Sequence, residues 1–189
     1  MTDETDSSAR LAAFPVNLSR RSSGAGTRVL KRLTVNQRTT CRWSLAEEIA
    51  GCEQAGLGGL GLWRPKLTEN GEQHAIESIR ESGLAVSSLS WAGAFTGVYD
   101  YSYVDAVEDA RGALALAAAL RAATLIMVSG PRRGHTRRHA RRLVVDGLRS
   151  LADAAAGAGV TLVLEPMRSP EFLSWTFLNT IDDTLEILE

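Results

Sequence analysis

Glu165 follows the run Thr161-Leu162-Val163-Leu164 and precedes Pro166. A carboxylate that closes a short apolar run is costly to desolvate unless a cation answers it. Two cations would serve. A divalent metal ion would make Glu165 a ligand or a general base. A nearby arginine such as Arg168 would make it half of a salt bridge. Four other β-prone runs end on polar or aromatic residues. Thr39, Thr40 and Arg42 lie at the end of the first, and Trp63 and Arg64 at the end of the second. Trp91 closes the third with Phe95 beyond it, and Ser129 closes the fourth, followed by Arg132, Arg133 and His135. The indoles of Trp63 and Trp91 could stack on the apolar face of a sugar ring, or simply pack at a rim. The loop Arg132-Arg133-Gly134-His135 stands ahead of a helix start, a place that suits phosphate or another anion. Its continuation through Arg137, Arg138, His139, Arg141 and Arg142 reads as a solvated helix face. His135 and His139 have no second ligand at the spacing of a zinc motif, and no GxGxxG, Walker or GxSxG element occurs.

These residues share one structural position, because short β-prone runs alternate with amphipathic stretches, the signature of βαβ units. Strands are expected over 33–40, 58–63, 85–91, 124–129 and 161–165. The first helix opens on the capping box Ser44-Leu45-Ala46-Glu47, turns Leu45, Ile49 and Cys52 inward, and stops at Gly56. Others are expected over 72–82 with Ala75, Ile76 and Ile79 inward, 103–121, and 136–156 with Val144, Leu148, Leu151 and Ala155 inward. A fifth starts near Asn179-Thr180. The fold class is therefore α/β, with a parallel sheet in the order 1-2-3-4-5 and helices on one side. Right-handed crossovers place every strand C-terminus at one end, where chemistry occurs in such folds. Trp63, Trp91, Ser129 and Glu165 are expected to line one pocket there.

The bulk properties remove several alternatives. A formal net charge of -1 argues against nucleic-acid or membrane binding by bulk charge. An apolar content of 44% beside 23% charged residues is that of a globular domain. No run reaches the roughly 18–20 apolar residues of a transmembrane helix, and the acidic start does not resemble a secretory leader. Cys41 and Cys52 fit no metal spacing and read as reduced thiols in a cytoplasmic protein. Residues 1–33, rich in Ser, Gly and Arg, read as a disordered tail, leaving one domain over 34–189.

Six stretches taken together resemble the sugar phosphate isomerase/epimerase family of xylose isomerase-like TIM barrels. They are Thr34-Val-Asn-Gln-Arg-Thr-Thr, Trp43-Ser-Leu-Ala-Glu-Glu, Gly59-Leu-Gly-Leu-Trp-Arg, Ala85-Val-Ser-Ser-Leu, Leu125-Ile-Met-Val-Ser-Gly and Leu162-Val-Leu-Glu-Pro-Met. The resemblance implies the first five units of a (β/α)₈ barrel, a partial barrel acting on a small-molecule sugar or sugar phosphate. It implies a divalent metal ion (Mn, Mg, Co or Zn) held by Glu165, which also moves a proton through an enediolate. Trp63, Arg64, Trp91, Ser129, Arg132, His135 and Arg168 are the expected substrate contacts. The family draws its other metal ligands, an Asp, a His and a second Glu, from later strands than the five read here. A chain impaired on its own is therefore expected: an inactive fragment, or part of a split barrel needing a complementing chain, with homo-oligomerisation open. An AP-endonuclease-like phosphodiesterase shares the barrel but takes early histidine ligands where this sequence has Ser90-Trp91 and Ser129-Gly130.

Overall fold

The computed structural model describes residues 29–69, 71–98 and 101–188. The tail expected over 1–33 falls almost entirely on residues 1–28, outside the described residues. Five strands form: β1 (Thr34–Asn36), β2 (Gly59–Trp63), β3 (Ala85–Gly93), β4 (Thr124–Val128) and β5 (Thr161–Leu164). They pair in sequence order and all in parallel. The helices are α1 (Leu45–Ala55), α2 (Arg64–Glu69), α3 (Glu72–Ser82), α4 (Tyr103–Ala119), α5 (Arg137–Ala158) and α6 (Ile181–Leu188), with a 3₁₀ turn at Pro170–Phe172. The expected α/β class, strand order and parallel pairing are those observed, so all five strand C-termini share one rim.

Strand alternation decides which face is covered. Leu60, Leu62, Leu125, Met127 and Leu164 are buried in one core with Leu45, Ala75, Ile79, Val144, Leu151 and Ala155 of the helices. Their neighbours Thr124, Ile126, Thr161 and Val163 lie on the opposite face and are less buried. Gly59 lets β2 approach β3, because a Cβ there would stand 2.1 Å from the Ala85 carbonyl oxygen. Helix starts follow local chemistry. Ser44 and Glu47 close the expected capping box on α1, and Ser102 with Asp105 closes a second on α4. Thr136 caps α5 by accepting the His139 N–H at 3.3 Å.

Element boundaries differ from expectation in two instructive places. β1 stops at Asn36 rather than reaching residue 40. Asn36 Oδ1 accepts the Arg38 N–H at 2.9 Å and its carbonyl accepts the Thr39 hydroxyl at 2.7 Å, which turns the chain. Helix α2, unforeseen, begins directly after Trp63 and tolerates Pro65 in its first turn, where no intrahelical N–H is needed. No helix of the described residues is long and apolar enough to cross a membrane. Cys41 is exposed and Cys52 buried, both as free thiols, and burial raises the Cys52 pKa with a smaller push from Glu48.

Candidate active site

The Glu165 backbone N–H continues the ladder by donating to the Met127 carbonyl at 2.9 Å, so β4 fixes where the end of β5 lies. The side chain is fixed from β3. Register against β4 pairs Ser90 with Ile126 and Ala92 with Met127, leaving Trp91 as the extra residue of a bulge. Bulges re-aim side chains, and here the Trp91 indole N–H donates to Glu165 Oε2 at 2.7 Å. The Ser90–Trp91 peptide is cis. Asn36, Arg38, Ser90, Trp91, Glu165 and Arg168 are among the residues lining a pocket of about 430 Å³ at this rim. Among the described residues Glu165 forms no ion pair. The salt bridge to Arg168, one of the two readings of this carboxylate, is therefore not made. Glu165 Oε1 has no hydrogen-bond partner among the described residues.

A buried polar chain supports the β1 side of the pocket. Glu48 and Lys66 are 2% and 5% exposed and pair at 2.5 Å. Glu48 also accepts from the Thr40 hydroxyl at 2.5 Å and from Gln37 Nε2 at 2.7 Å. Fully buried Gln37 uses its other end, Oε1, to accept the Trp63 N–H at 2.8 Å. The next residue, Arg38, lays its guanidinium 4.8 Å from the Trp91 ring centroid and 5.4 Å from that of Trp63. Stacks of this kind are worth about 0.5–1 kcal/mol where solvent reaches them. Sequence reading missed Gln37, Arg38, Glu48 and Lys66, because each contact joins residues from different elements.

The other expected site residues are distributed unevenly. Trp63 and Arg64 line an adjoining cleft of about 200 Å³ with Trp91 and Trp175. Trp175, also missed, stacks on Trp91 with centroids 5.3 Å apart. Arg64 is bidentate to Asp109 at 2.8 and 2.9 Å and donates to the Trp91 carbonyl at 3.0 Å. The Asp109 hydrogen bond raises its pKa, and the guanidinium braces Trp91 against α4. Ser129 does not line the Glu165 pocket. It is fully buried, donates to the Gly130 carbonyl, pairs with Thr176 at 2.8 Å and accepts the Phe177 N–H at 3.0 Å, tying the segment after β5 to the end of β4. Arg132 is exposed and outside the residues lining that pocket. His135 Nε2 lies 3.2 Å from the Thr96 carbonyl, with its ring 4.9 Å from that of His139.

Among the described residues no three His, Cys, Asp or Glu side chains converge on a point. Hard divalent cations take about six or more oxygen ligands. Glu165 could supply one charged ligand to such a shell, and the described residues bring no second and third beside it.

The five parallel strands in sequence order, with their helices, agree with the family comparisons. Residues 49–189 match the model of the xylose isomerase-like TIM barrel. The chain belongs to that family. Protein SMc04130 from Sinorhizobium meliloti 1021 is 30% identical, with a TM-score of 0.73 over 84% of this chain and 58% of that one. The IolI protein with a binding zinc atom is 21% identical, with a TM-score of 0.68 over 82% and 57%. The 3-keto-D-glucoside 4-epimerase YcjR from E. coli is 19% identical, with a TM-score of 0.61 over 77% and 58%. The chain spans less than two thirds of the length of each of these structures. No curated protein matches it significantly.

Proposed function

We propose that the chain carries half of the active site of a sugar isomerase or epimerase, with Glu165 as the proton-transferring residue and one ligand of a divalent cation. The carrying observation is that Glu165 is fixed through Oε2 by the Trp91 indole, while Oε1 and the negative charge have no partner among the described residues. Glu165 is partly buried, where a carboxylate kept for structure alone is more often paired with a cation. This one is oriented and left for a ligand.

Held by one oxygen, Glu165 can take a proton on the other from a carbon next to a sugar carbonyl. It can return that proton to the former carbonyl carbon, with the hydroxyl proton passing from one oxygen to the other, or a second acid can reprotonate the original carbon from its opposite face. Isomerisation follows in the first case and epimerisation in the second. The Trp91 N–H steadies the carboxylate as its charge changes. What a divalent cation supplies when bound is polarisation of the carbonyl, which acidifies the adjacent C–H. Mn²⁺ titration calorimetry and deuterium incorporation from D₂O into D-fructose, read by mass spectrometry, test the assignment. Glu165→Gln should reduce both signals by roughly tenfold or more. Equal signals in the variant and the unsubstituted chain would overturn it.

A further inference from the structure

Resting on that reading of the site, we infer that Asp109 of α4 is a positioning residue for Glu165, acting through Arg64 and Trp91. The expected substrate contact Arg64 has its fork committed elsewhere. Its Nη2 donates to Asp109 Oδ1 at 2.8 Å, and its Nη1 donates both to Asp109 Oδ2 at 2.9 Å and to the Trp91 carbonyl at 3.0 Å. Trp91 carries the link onward, its indole N–H donating to Glu165 Oε2 at 2.7 Å. Four residues from α4, α2, β3 and the end of β5 thus form one continuous relay. Asp109 itself stands outside the residues lining the Glu165 pocket and the adjoining cleft.

Each link answers a need that the fold creates. Trp91 is the extra residue of the β3 bulge, where a strand ladder is locally disrupted. Its carbonyl takes its donor from a side chain, so the setting of Trp91 depends on where that side chain is held. A lone guanidinium on a flexible stem has water to turn to. A bidentate carboxylate fixes it in plane as well as in position. The pair contributes little to the stability of the fold, because the Arg64 and Asp109 side chains are 24% and 35% exposed. Its removal should therefore leave the fold intact and show itself at Trp91 and Glu165. Small displacements matter there, since a misplacement of about 1 Å at a reacting group can lower a rate by roughly 10²-fold.

The indole N–H signals of the 189-residue chain, which has four tryptophans, test this in a ¹H–¹⁵N spectrum. Trp91→Phe and Trp43→Phe identify two of the signals, and Glu165→Ala gives the position of the Trp91 signal without its acceptor. Asp109→Ala should move the Trp91 signal toward that position and speed its solvent exchange about tenfold, the measure of one weakened hydrogen bond. Trp43, between β1 and α1, should stay where it is. Asp109→Glu, which keeps the carboxylate, should restore the signal. Arg64→Lys, which keeps the charge and loses the fork, should reproduce the Asp109→Ala result. In the D₂O assay with D-fructose, Asp109→Ala should lower kcat by about 10–100-fold with KM little changed. A Trp91 signal unmoved in both Asp109→Ala and Arg64→Lys overturns the inference. So does a shift shared by Trp43, which is general loosening, or an unchanged kcat. Deuterium incorporation absent from every chain, with the Trp91 shift as expected, defeats the proton-transfer reading of Glu165 and leaves the relay supported.

Discussion

Glu48 lies beneath the rim with its carboxylate out of water, and Thr40, Gln37 and Lys66 take the place of the solvent it has lost. A buried ion pair of this kind is seldom more stabilising than an apolar pair of the same volume, because two charges have been desolvated. Its benefit here is geometric. Glu48 sets Gln37, Gln37 sets the Trp63 backbone, and Arg38 follows on the same turn. Lys66→Met should therefore cost about 3–5 kcal/mol in urea denaturation, since it leaves the carboxylate buried beside an apolar group. Combining it with Glu48→Leu should recover much of that loss. A cost below about 1 kcal/mol for the single variant would mean that Thr40 and Gln37 suffice. Little of this was legible in the sequence. Glu48 shares the inward face of α1 with Leu45 and Cys52, yet a glutamate in that helix reads as a solvent-facing residue. Its partner lies 18 residues away on a helix that the sequence pattern does not announce. Glu165 was legible because apolar Leu164 and Pro166 flank it, and a charge in such a setting invites an explanation by itself.

At the scale of elements, periodicity carried most of the fold. Ala75, Ile79, Val144, Leu151 and Ala155 are buried as the 3.6-residue pattern requires, and Ile76 and Leu148 pack against the same core. The short pieces escaped, because α2 and the turn that ends β1 are set by side-chain hydrogen bonds and by β2, not by a repeating pattern. Helix glycines show the same division between local and tertiary control. A Cβ on Gly147 of α5 would stand 2.4 Å from the ring of fully buried Phe95, whereas one on Gly112 of α4 or Gly157 of α5 would meet nothing within 4 Å. Helix propensity favours alanine at all three by about 0.5–1 kcal/mol. Gly112→Ala and Gly157→Ala should accordingly raise stability by about that amount. Gly147→Ala should lower it by about 1–3 kcal/mol through overpacking. Thermal unfolding of the three variants separates the cases, and a stabilised Gly147→Ala would show that Phe95 can move aside.

For the whole molecule the question is closure. A barrel of this family closes at eight strands, and the described residues form five, with β1 paired only to β2 and β5 only to β4. The open side of β5 is apolar. Val163 is 38% exposed, and a groove of about 480 Å³ beside it is lined by Val145, Leu148, Leu162, Leu164, Ile187 and Leu188 among others. Ile181, Leu185 and Leu188 of α6 are 70%, 51% and 63% exposed. Unpaired backbone next to apolar surface favours strand addition. Three further strand–helix units bridging β5 to β1 would cover that surface and, by the family resemblance, bring the remaining ligands to the Glu165 rim. A polypeptide carrying such units, supplied in cis or in trans, should bind the 189-residue chain and raise Mn²⁺ affinity well above that of the chain alone. Each added hard ligand replaces a water and fixes geometry around the cation. Glu165→Gln in the assembled pair should cancel the gain, while Ile181→Lys with Leu185→Lys should weaken assembly by placing charge on the exposed apolar surface that the added units would cover. Sedimentation velocity reads the assembly and calorimetry reads the metal. Mn²⁺ affinity that stays unchanged on assembly would locate the cation site away from Glu165, whatever the barrel does.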